Sequence, residues 1–388
     1  MALPLHARAK VEGPPREGLF KVLGLPEALT SEFAPEKIFV DLRCGGKVTG
    51  EALVDVGFAG VVGGPSNPGS VSRFHSISND AVVSAGDVVR LRQDGRIDVL
   101  FRRGANANAL FVTEACNSIC MMCSQPPRDI NDGWRIAELV ELVSLIDRDI
   151  AVLGVTGGEP TLLGRAFASL LDDAARTLSS AQFHVLSNGR RFARHEDCTD
   201  FDGLRGRVLW AVPVYGDAAA DHDRVTGVAG SFAETMHGLY NLAERGHRIE
   251  IRMVLSALTL PRLVQTAEFY CRNLPFVEHV ALMGLEPMGF ARVNARLLDY
   301  DPSECGRALS DAVSILDQAG MSVSIYNVPL CTIDDRLHRF ARQSISDWKN
   351  EFASDCAGCR LRPNCCGFFR SAGQSWRQAI RPVLGADM

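Results

Sequence analysis

Cys116, Cys120 and Cys123 stand in the run CNSICMMCSQPP, spaced C-x-x-x-C-x-x-C. Three thiolates this close in sequence can fold around one corner of a cubane iron–sulfur cluster. A 4Fe–4S cluster offers four iron sites and is usually held by four cysteines, yet the run supplies three. An iron left without a cysteine can bind a small molecule and do chemistry on it. The competing reading is zinc, which takes four closed ligands, commonly in C-x-x-C pairs.

Downstream, residues 150–160 read IAVLGVTGGEP, a β-type apolar run that breaks into Gly157, Gly158, Glu159 and Pro160. Glycines at a strand end let the backbone approach a ligand with no Cβ in the way. Glu159 then offers a carboxylate to a cationic group, such as the ammonium of an amino acid. By itself GGEP reads equally as a plain turn. Its place roughly 35 residues after a three-cysteine loop, with one helix between, favours the ligand site.

Together these motifs resemble the radical S-adenosylmethionine (radical SAM) superfamily over about residues 107–290. The resemblance implies that Cys116, Cys120 and Cys123 hold a 4Fe–4S cluster whose fourth iron is chelated by the amino and carboxylate groups of SAM. One electron then splits SAM to methionine and a 5′-deoxyadenosyl radical, which takes a hydrogen from substrate. The cofactors carry the hard chemistry, while the protein orients and shields it. The same resemblance places Ser187, Asn188 and Gly189 of QFHVLSNG against the ribose or carboxylate of SAM. It sets Arg252 of RIEIRMVL against the carboxylate, which suits an arginine fork. In VALMGLEPMG it lays Met283, Gly284 and Glu286 along the adenine. The residue before the third cysteine is commonly aromatic in that family; here it is Met122, apolar and adaptable.

The 388 residues leave room for two or three domains. A hydrophobic content of 46%, a charged content of 22% and a formal charge of −5 describe an ordinary globular chain. They do not recommend a nucleic-acid surface. No apolar run approaches the ~18 residues of a membrane span, and MALPLHARAKVEGPPREG lacks the apolar core of a signal peptide. Clustered cysteines in a large chain without a signal point to metal or redox sites in a reducing, cytoplasmic compartment. Of twelve cysteines, Cys44, Cys198, Cys271 and Cys305 are scattered and read as packing residues.

The elements that must position these groups follow from periodicity. Residues 1–19 read as a mobile tail. Residues 20–106 (KIFVDLR, GFAGVVGG, AVVSAGDVVRLR, RIDVLFRR) read as a small β-rich domain. From 107 the period changes. A helix GWRIAELVELVSLIDR puts Ile136, Leu139, Val140, Val143 and Ile146 on one face. Six strands (NALFVTEA, AVLGVT, FHVLSN, VLWAVPVY, IEIRMVL, EHVALMG) alternate with helices, which implies a parallel sheet buried on both faces. The fold class is therefore α/β. Residues 107–300 form what the resemblance makes a partial (β/α)6 barrel, with its site at the C-terminal strand ends.

Residues 301–388 form a cysteine-rich segment. After a helix and the strand MSVSIYNV come Cys331, the run SISDWK, and DCAGCRLRPNCCGFF with Cys356, Cys359, Cys365 and Cys366. That density marks an auxiliary metal site. Zinc and a second 4Fe–4S cluster are both chemically adequate, and the resemblance favours the cluster. Spacing does not choose between Cys365 and Cys366.

The longer strings FVTEACNSICMMCSQPPRDIND, VPVYGDAAADHDRVTG and VALMGLEPMGFA look like the C-type radical SAM maturase of the His-Xaa-Ser system. That implies a peptide or protein substrate with His-Xaa-Ser repeats, a companion radical SAM protein, a small partner and an electron donor. Tyr215, His222, Asp223 and Arg224 follow the fourth strand, where His222 could donate to a peptide; the other reading is a capped turn with Asp223 and Arg224 solvated. Gln125, Pro126 and Pro127 fix the loop exit, since each proline locks φ and removes a donor. A radical SAM enzyme acting on a small molecule or RNA, and a non-enzymatic zinc or iron–sulfur protein, are the alternatives.

Overall fold

A computed structural model describes residues 5–43, 50–64, 71–105, 107–302, 305–343, 350–372 and 374–384. Cys44 and the run 344–349, SISDWK, lie outside the described residues. The chain divides into two compact units. One comprises Met1–Ala109, Ala137–Ala151 and Asp173–Ala181; the other comprises Leu110–Ile136, Val152–Asp172 and Gln182–Met388. Residues 137–151 and 173–181, expected in the barrel core, thus group with the N-terminal sheet.

The first unit holds β1 (His6–Arg8), β2 (Lys10–Glu12), β3 (Gly18–Gly24), α1 (Leu25–Thr30), β4 (Ile38–Asp41), α2 (Gly50–Val56), β5 (Gly60–Val62), β6 (Ser72–His75), β7 (Val88–Leu91) and β8 (Arg96–Phe101). They form one mixed sheet in the order β1-β8-β7-β3-β4-β5-β6-β2. Its central strands are near-continuously apolar because both faces are covered. Phe20, Val22, Phe39 and Phe74 pack in one cluster, and Leu23, Ile38, Val40 and Leu53 in the other. The expectation of a mobile tail over 1–19 is corrected here: β1 pairs antiparallel with β8 and β2 with β6. Their backbone groups complete the ladders of these outer strands.

After β8 the chain runs through β9 (Ala109–Phe111), α3 (Trp134–Ser144), most of which groups with the first unit, β10 (Val152–Thr156), α4 (Arg165–Thr177), whose last turn does the same, β11 (Gln182–Leu186), α5 (His195–Thr199), β12 (Val208–Pro213), α6 (Ala219–Thr226), α7 (Ser231–Glu244), β13 (Arg248–Leu255), α8 (Leu263–Asn273) and β14 (His279–Gly284). Then follow α9 (Phe290–Val293), α10 (Ala295–Leu298), α11 (Gly306–Gln318), β15 (Val323–Tyr326), β16 (Ala341–Arg342), β17 (Asn350–Glu351), β18 (Phe368–Phe369) and α12 (Gln374–Ala379). In α3 the buried positions are Leu139, Leu142 and Val143, while the expected stripe residue Val140 is exposed.

Strands β9 to β16 form one sheet in sequential order, and every pairing from β10 to β16 is parallel. Crossovers of a single hand between successive strands keep the helices on one face and curl the sheet in the manner of a barrel. Two expectations are corrected. The sheet has eight strands, not six, because the strand read before the C-terminal cysteines, β15, returns through α11 to pair with β14, and β16 extends it. Nor are both faces dry. Phe183, Val185, Trp210, Ile249, Ile251 and Val280 are fully buried, whereas the alternate positions Gln182, His184, Arg252, His279 and Met283 are half-buried. Side chains alternate between faces along a strand, so the helix-covered face is apolar and the inner face polar.

Candidate active site at the cysteine loop

The cysteine loop leaves β9 and is clamped at three places. The Gly158 N–H donates to the Thr113 carbonyl at 2.7 Å and Glu159 N–H to the Ala115 carbonyl at 2.8 Å, splicing GGEP to the loop entry. Ile119 and Met121 donate their N–H groups to the Thr226 and Val225 carbonyls at the end of α6, at 3.0 and 2.8 Å. Phe290 N–H donates to the Cys123 carbonyl at 2.8 Å, and Asn294 Nδ2 to the Met121 carbonyl at 2.9 Å. The glycines are therefore needed for a different reason than a ligand's approach. A Cβ on Gly158 would stand 2.1 Å from the Ala115 carbonyl oxygen, and one on Gly157, whose φ is +152°, 2.5 Å from that of Thr113. At the loop exit Gly289 adopts φ +54°, where a Cβ would meet the Cys123 and Ser124 carbonyls at 2.6 Å and Pro126 at 2.7 Å. The Gln125 carbonyl accepts the Cys123 thiol at 2.9 Å, and Pro127 completes the exit. Met122 is buried.

Glu159 has a role within the fold. Fully buried, it accepts from Thr161 N–H and Oγ1 at 3.0 and 2.7 Å, from Ser187 Oγ at 2.9 Å, and from Asn188 N–H at 2.6 Å. Burial raises its pKa against the pull of those donors. Its carboxylate thus ties the end of β10 to the end of β11, three donors lying on Oε1 and one on Oε2. Pro160 opens the short 3-10 turn that Glu159 caps. Ser187 accepts in turn from Gly189 N–H at 3.1 Å. The Asn188 Nδ2 reaches into the loop and donates to Asn117 Oδ1 at 2.6 Å. Sequence reasoning missed Arg190, just after SNG, which donates to the Asn117 carbonyl and to Ser118 Oγ at 3.1 Å and pairs with Glu234 at 2.6 Å.

The clamp brings the three thiols into each other's field. Burial pushes Cys116 up to about 11, and Cys123 adds repulsion; burial pushes Cys120 up to about 12, with Cys116 and Cys123 adding to it. Burial raises Cys123 as well. Arg190 acts the other way on the first two. Three thiolates held together in a half-buried loop need a cationic partner to be stable there. Among the described residues, no three His, Cys, Asp or Glu side chains are arranged to hold a single metal ion.

Of the remaining positions, Arg252 and Met283 are brought together, Arg252 Nη2 standing 2.9 Å from Met283 Sδ. Arg252 Nη1 is buried without a hydrogen-bond partner and 3.8 Å from Glu250 Oε1, an opening for an anionic group. Gly284 admits the Asn327 carbonyl, which a Cβ would meet at 2.3 Å. Glu286 follows in the turn, its carbonyl accepting from Met288 N–H at 2.8 Å. Tyr215 is nearly buried beyond β12, and burial, with Cys120 and Cys123 next, raises its pKa well above the usual value. His222 lies inside the fold, with Nε2 left as its donor. It is buried on α6, its Nδ1 accepts the Tyr215 N–H at 3.1 Å, and burial lowers it to about 4. Asp223 caps α7, accepting from Gly230 N–H at 2.6 Å, Ser231 Oγ at 2.8 Å and Phe232 N–H at 2.8 Å. Arg224 is exposed.

At the C-terminus Cys331, Cys356, Cys359 and Cys365 line one cavity of about 20 Å³ together with Phe352 and Phe368. Backbone N–H groups point at the sulfurs. Leu330 and Gly367 donate to Cys365 at 3.4 and 3.3 Å, Arg381 to Cys331 at 3.5 Å, and Val383 to Cys359 at 3.4 Å. Cys366 does not line this cavity; it is buried beside Cys365, with its thiol on the Gly367 carbonyl at 3.1 Å. The Cys366 thiol and the N–H groups of Leu330 and Gly367 hold Cys365 down to about 6 against burial. Cys198, Cys271 and Cys305 each lie on a backbone carbonyl elsewhere.

No protein-family model matches this chain, and no curated protein matches it. Among solved structures, Streptococcus suis SuiB bound to precursor peptide SuiA aligns with 56% of this chain and 48% of its own, at 13% identity and a TM-score of 0.42. Native anSMEcpe with bound AdoMet and Cp18Cys peptide aligns over 56% and 62%, at 15% identity and a TM-score of 0.46. A radical SAM methyltransferase from Sphaerobacter thermophilus aligns over 62% and 72%, at 16% identity and a TM-score of 0.42. The chain spans about half to three-fifths of the length of the first two.

Proposed function

We propose that this chain is a radical SAM enzyme in which Cys116, Cys120 and Cys123 hold a 4Fe–4S cluster and leave one iron for S-adenosylmethionine. The observation that carries the reading is the clamped loop itself. Three half-buried thiols stand on one loop after β9, held by backbone hydrogen bonds to GGEP, to the end of α6 and to the start of α9. Tetrahedral zinc would draw four ligands to sulfur separations of about 3.8 Å, whereas a cubane takes one thiolate per iron. When bound, the pair of cofactors supplies a 5′-deoxyadenosyl radical that abstracts hydrogen from substrate. This chain's residues do the holding. Gly157, Gly158 and Glu159 fix the loop entry, Ser187, Asn188 and Arg190 brace its middle, and Gly289 its exit. Arg252 would hold the SAM carboxylate through Nη1, and Met283 would lie along the adenine.

Our reading gives a second iron–sulfur cluster to Cys331, Cys356, Cys359 and Cys365, supported by the cavity these four share, with Cys366 beside them as the other candidate for the fourth place. N–H groups aimed at the sulfurs are a recognised control of cluster potential. Zinc is the alternative that the cysteine spacing offers, against the finding that no three His, Cys, Asp or Glu side chains among the described residues are arranged for a single ion. The substrate is a peptide or protein with His-Xaa-Ser repeats, modified alongside a companion radical SAM protein, a small partner and an electron donor. Support for that substrate is the resemblance of the strings around Cys116, Tyr215 and Met283. No helix among the described residues is long and apolar enough to cross a membrane. Co-expression with a His-Xaa-Ser protein and mass spectrometry of that protein test the substrate. A mass change that requires Cys116, Cys120 and Cys123 is expected; an unchanged mass with active SAM cleavage would redirect the search to small molecules or RNA.

A further inference from the structure

The polar inner face of the second sheet carries a chain of side chains that the motifs do not include. Across β12, where small Ala211 lies in register with Leu186 of β11 and Glu250 of β13, His184 Nε2 reaches Glu250 Oε1 at 3.2 Å. The other carboxylate oxygen, Oε2, meets His279 Nδ1 at 2.9 Å, and His279 Nε2 meets Ser324 Oγ at 2.9 Å. Four strands, β11, β13, β14 and β15, each contribute one residue to this row.

The protons in the row are fixed by its centre. Although burial works against it, hydrogen bonds from His184 and His279 hold Glu250 down to about 2, so the carboxylate is ionised. An ionised carboxylate only accepts, and both imidazoles must therefore donate to it. His279 then has Nε2 as an acceptor, and Ser324 fills it. His184 has Nδ1 as an acceptor, and no described residue fills that. Its side chain is 23% exposed against 6% for Glu250, so the ring is the solvent-facing member of the pair. An imidazole oriented by a carboxylate, with its far nitrogen open, is the arrangement of a general base. Other candidate histidines lack it. His222 uses Nδ1 on Tyr215, and His247 is buried against Trp210 on the helix-covered face.

We infer that His184 is the acid–base residue of the inner face and Glu250 its positioning residue, acting on an N–H or O–H of a polar peptide group. In the step, the substrate X–H bond breaks heterolytically and its electron pair stays on X. The proton forms a bond to His184 Nδ1, leaving an imidazolium against the Glu250 carboxylate until solvent takes the proton. The inference deepens the radical SAM reading and rests on it for the identity of the substrate.

Two experiments test it. Brief acylation of the full chain with diethyl pyrocarbonate, mapped by mass spectrometry, should modify His184 at least fivefold faster than His279 or His222. Glu250→Gln should slow the His184 reaction at least threefold. A merely structural role for Glu250 predicts the opposite, because loosening the row exposes the ring and speeds its labelling. Equal rates at His184 and His279, or faster labelling in Glu250→Gln, would overturn the assignment. In the reconstituted enzyme with a His-Xaa-Ser peptide, His184→Gln should lower the modified peptide at least tenfold, in line with the ~10²–10⁴ of general base catalysis. Normal modification by His184→Gln would sink the inference while leaving the radical reading intact. Failure of the wild type to form 5′-deoxyadenosine would sink that reading instead, with the acylation rates still deciding His184.

Discussion

Replacing Gly158 by alanine should strip iron from the cysteine loop without unfolding the chain. The added Cβ would stand 2.1 Å from the Ala115 oxygen and 2.6 Å from its carbonyl carbon, with the Glu114 oxygen at 3.0 Å. All three are backbone atoms, so no rotamer relieves the contact. Ordinary contact is reached near 3.5 Å, and the loop entry must retreat by roughly 1.4 Å. That retreat breaks or stretches the bonds from Gly158 N–H to Thr113 and from Glu159 N–H to Ala115, about 0.5–1.5 kcal/mol each. It also carries Cys116, the next residue, away from Cys120 and Cys123. The local cost of about 1–3 kcal/mol is tolerable for a domain, but a displacement above 1 Å is large for a ligand set. Anaerobic reconstitution followed by iron and acid-labile sulfide analysis reads the outcome. Wild type should hold about eight iron atoms per chain if both sites carry cubanes, and Gly158→Ala about four. Gly203→Ala, whose Cβ would meet nothing within 4 Å, is the control and should match wild type. Full iron in Gly158→Ala would refute the claim that GGEP sets the loop entry by steric contact.

Further outcomes are expected. Cys365→Ser should lose the C-terminal metal complement while Cys366→Ser retains it, as measured by the same iron and zinc analysis; the reverse order would exclude the four-thiol assignment. Glu250 is held down to about 2, below the ~4.3 of a free glutamate. Its contribution is therefore present above pH ~4.3 and lost as pH falls towards 2, about 3 kcal/mol in all. Urea melts between pH 5 and 2 should show wild type losing that much more stability than Glu250→Gln, and parallel losses would contradict it. Asp223→Ala removes the acceptor of three donors at the start of α7 and should cost about 1–2 kcal/mol, seen as a melting temperature several degrees lower; an unchanged melt would show that water replaces the cap.

The candidate site residues could be proposed from the sequence because their spacing is local. Cys116, Cys120 and Cys123 lie within one loop, and GGEP and SNG close strands that hydrophobic runs announce. What could not be read is how those segments meet. That Gly158 rests on Ala115, that Glu159 faces Ser187 and Asn188, and that Arg190 braces Ser118 are contacts between segments far apart in the chain. The polar inner face did leave a signal. Gln182 and His184 in β11, Arg248, Glu250 and Arg252 in β13, and His279 and Met283 in β14 each alternate with buried apolar residues. That period of two is easily hidden within strands dense in Val, Ile and Leu. Spacing does not separate Cys365 from Cys366, whereas in the fold Cys365 accepts from the Leu330 and Gly367 N–H groups and the Cys366 thiol lies on the Gly367 carbonyl.

The most direct measurement of the central claim is 5′-deoxyadenosine produced when the anaerobically reconstituted, dithionite-reduced protein meets S-adenosylmethionine. The expected result is production by the wild type and none by the variant carrying Cys116→Ala, Cys120→Ala and Cys123→Ala together. Equal production by that variant, or a wild-type loop that binds one zinc and cleaves no S-adenosylmethionine, would contradict it.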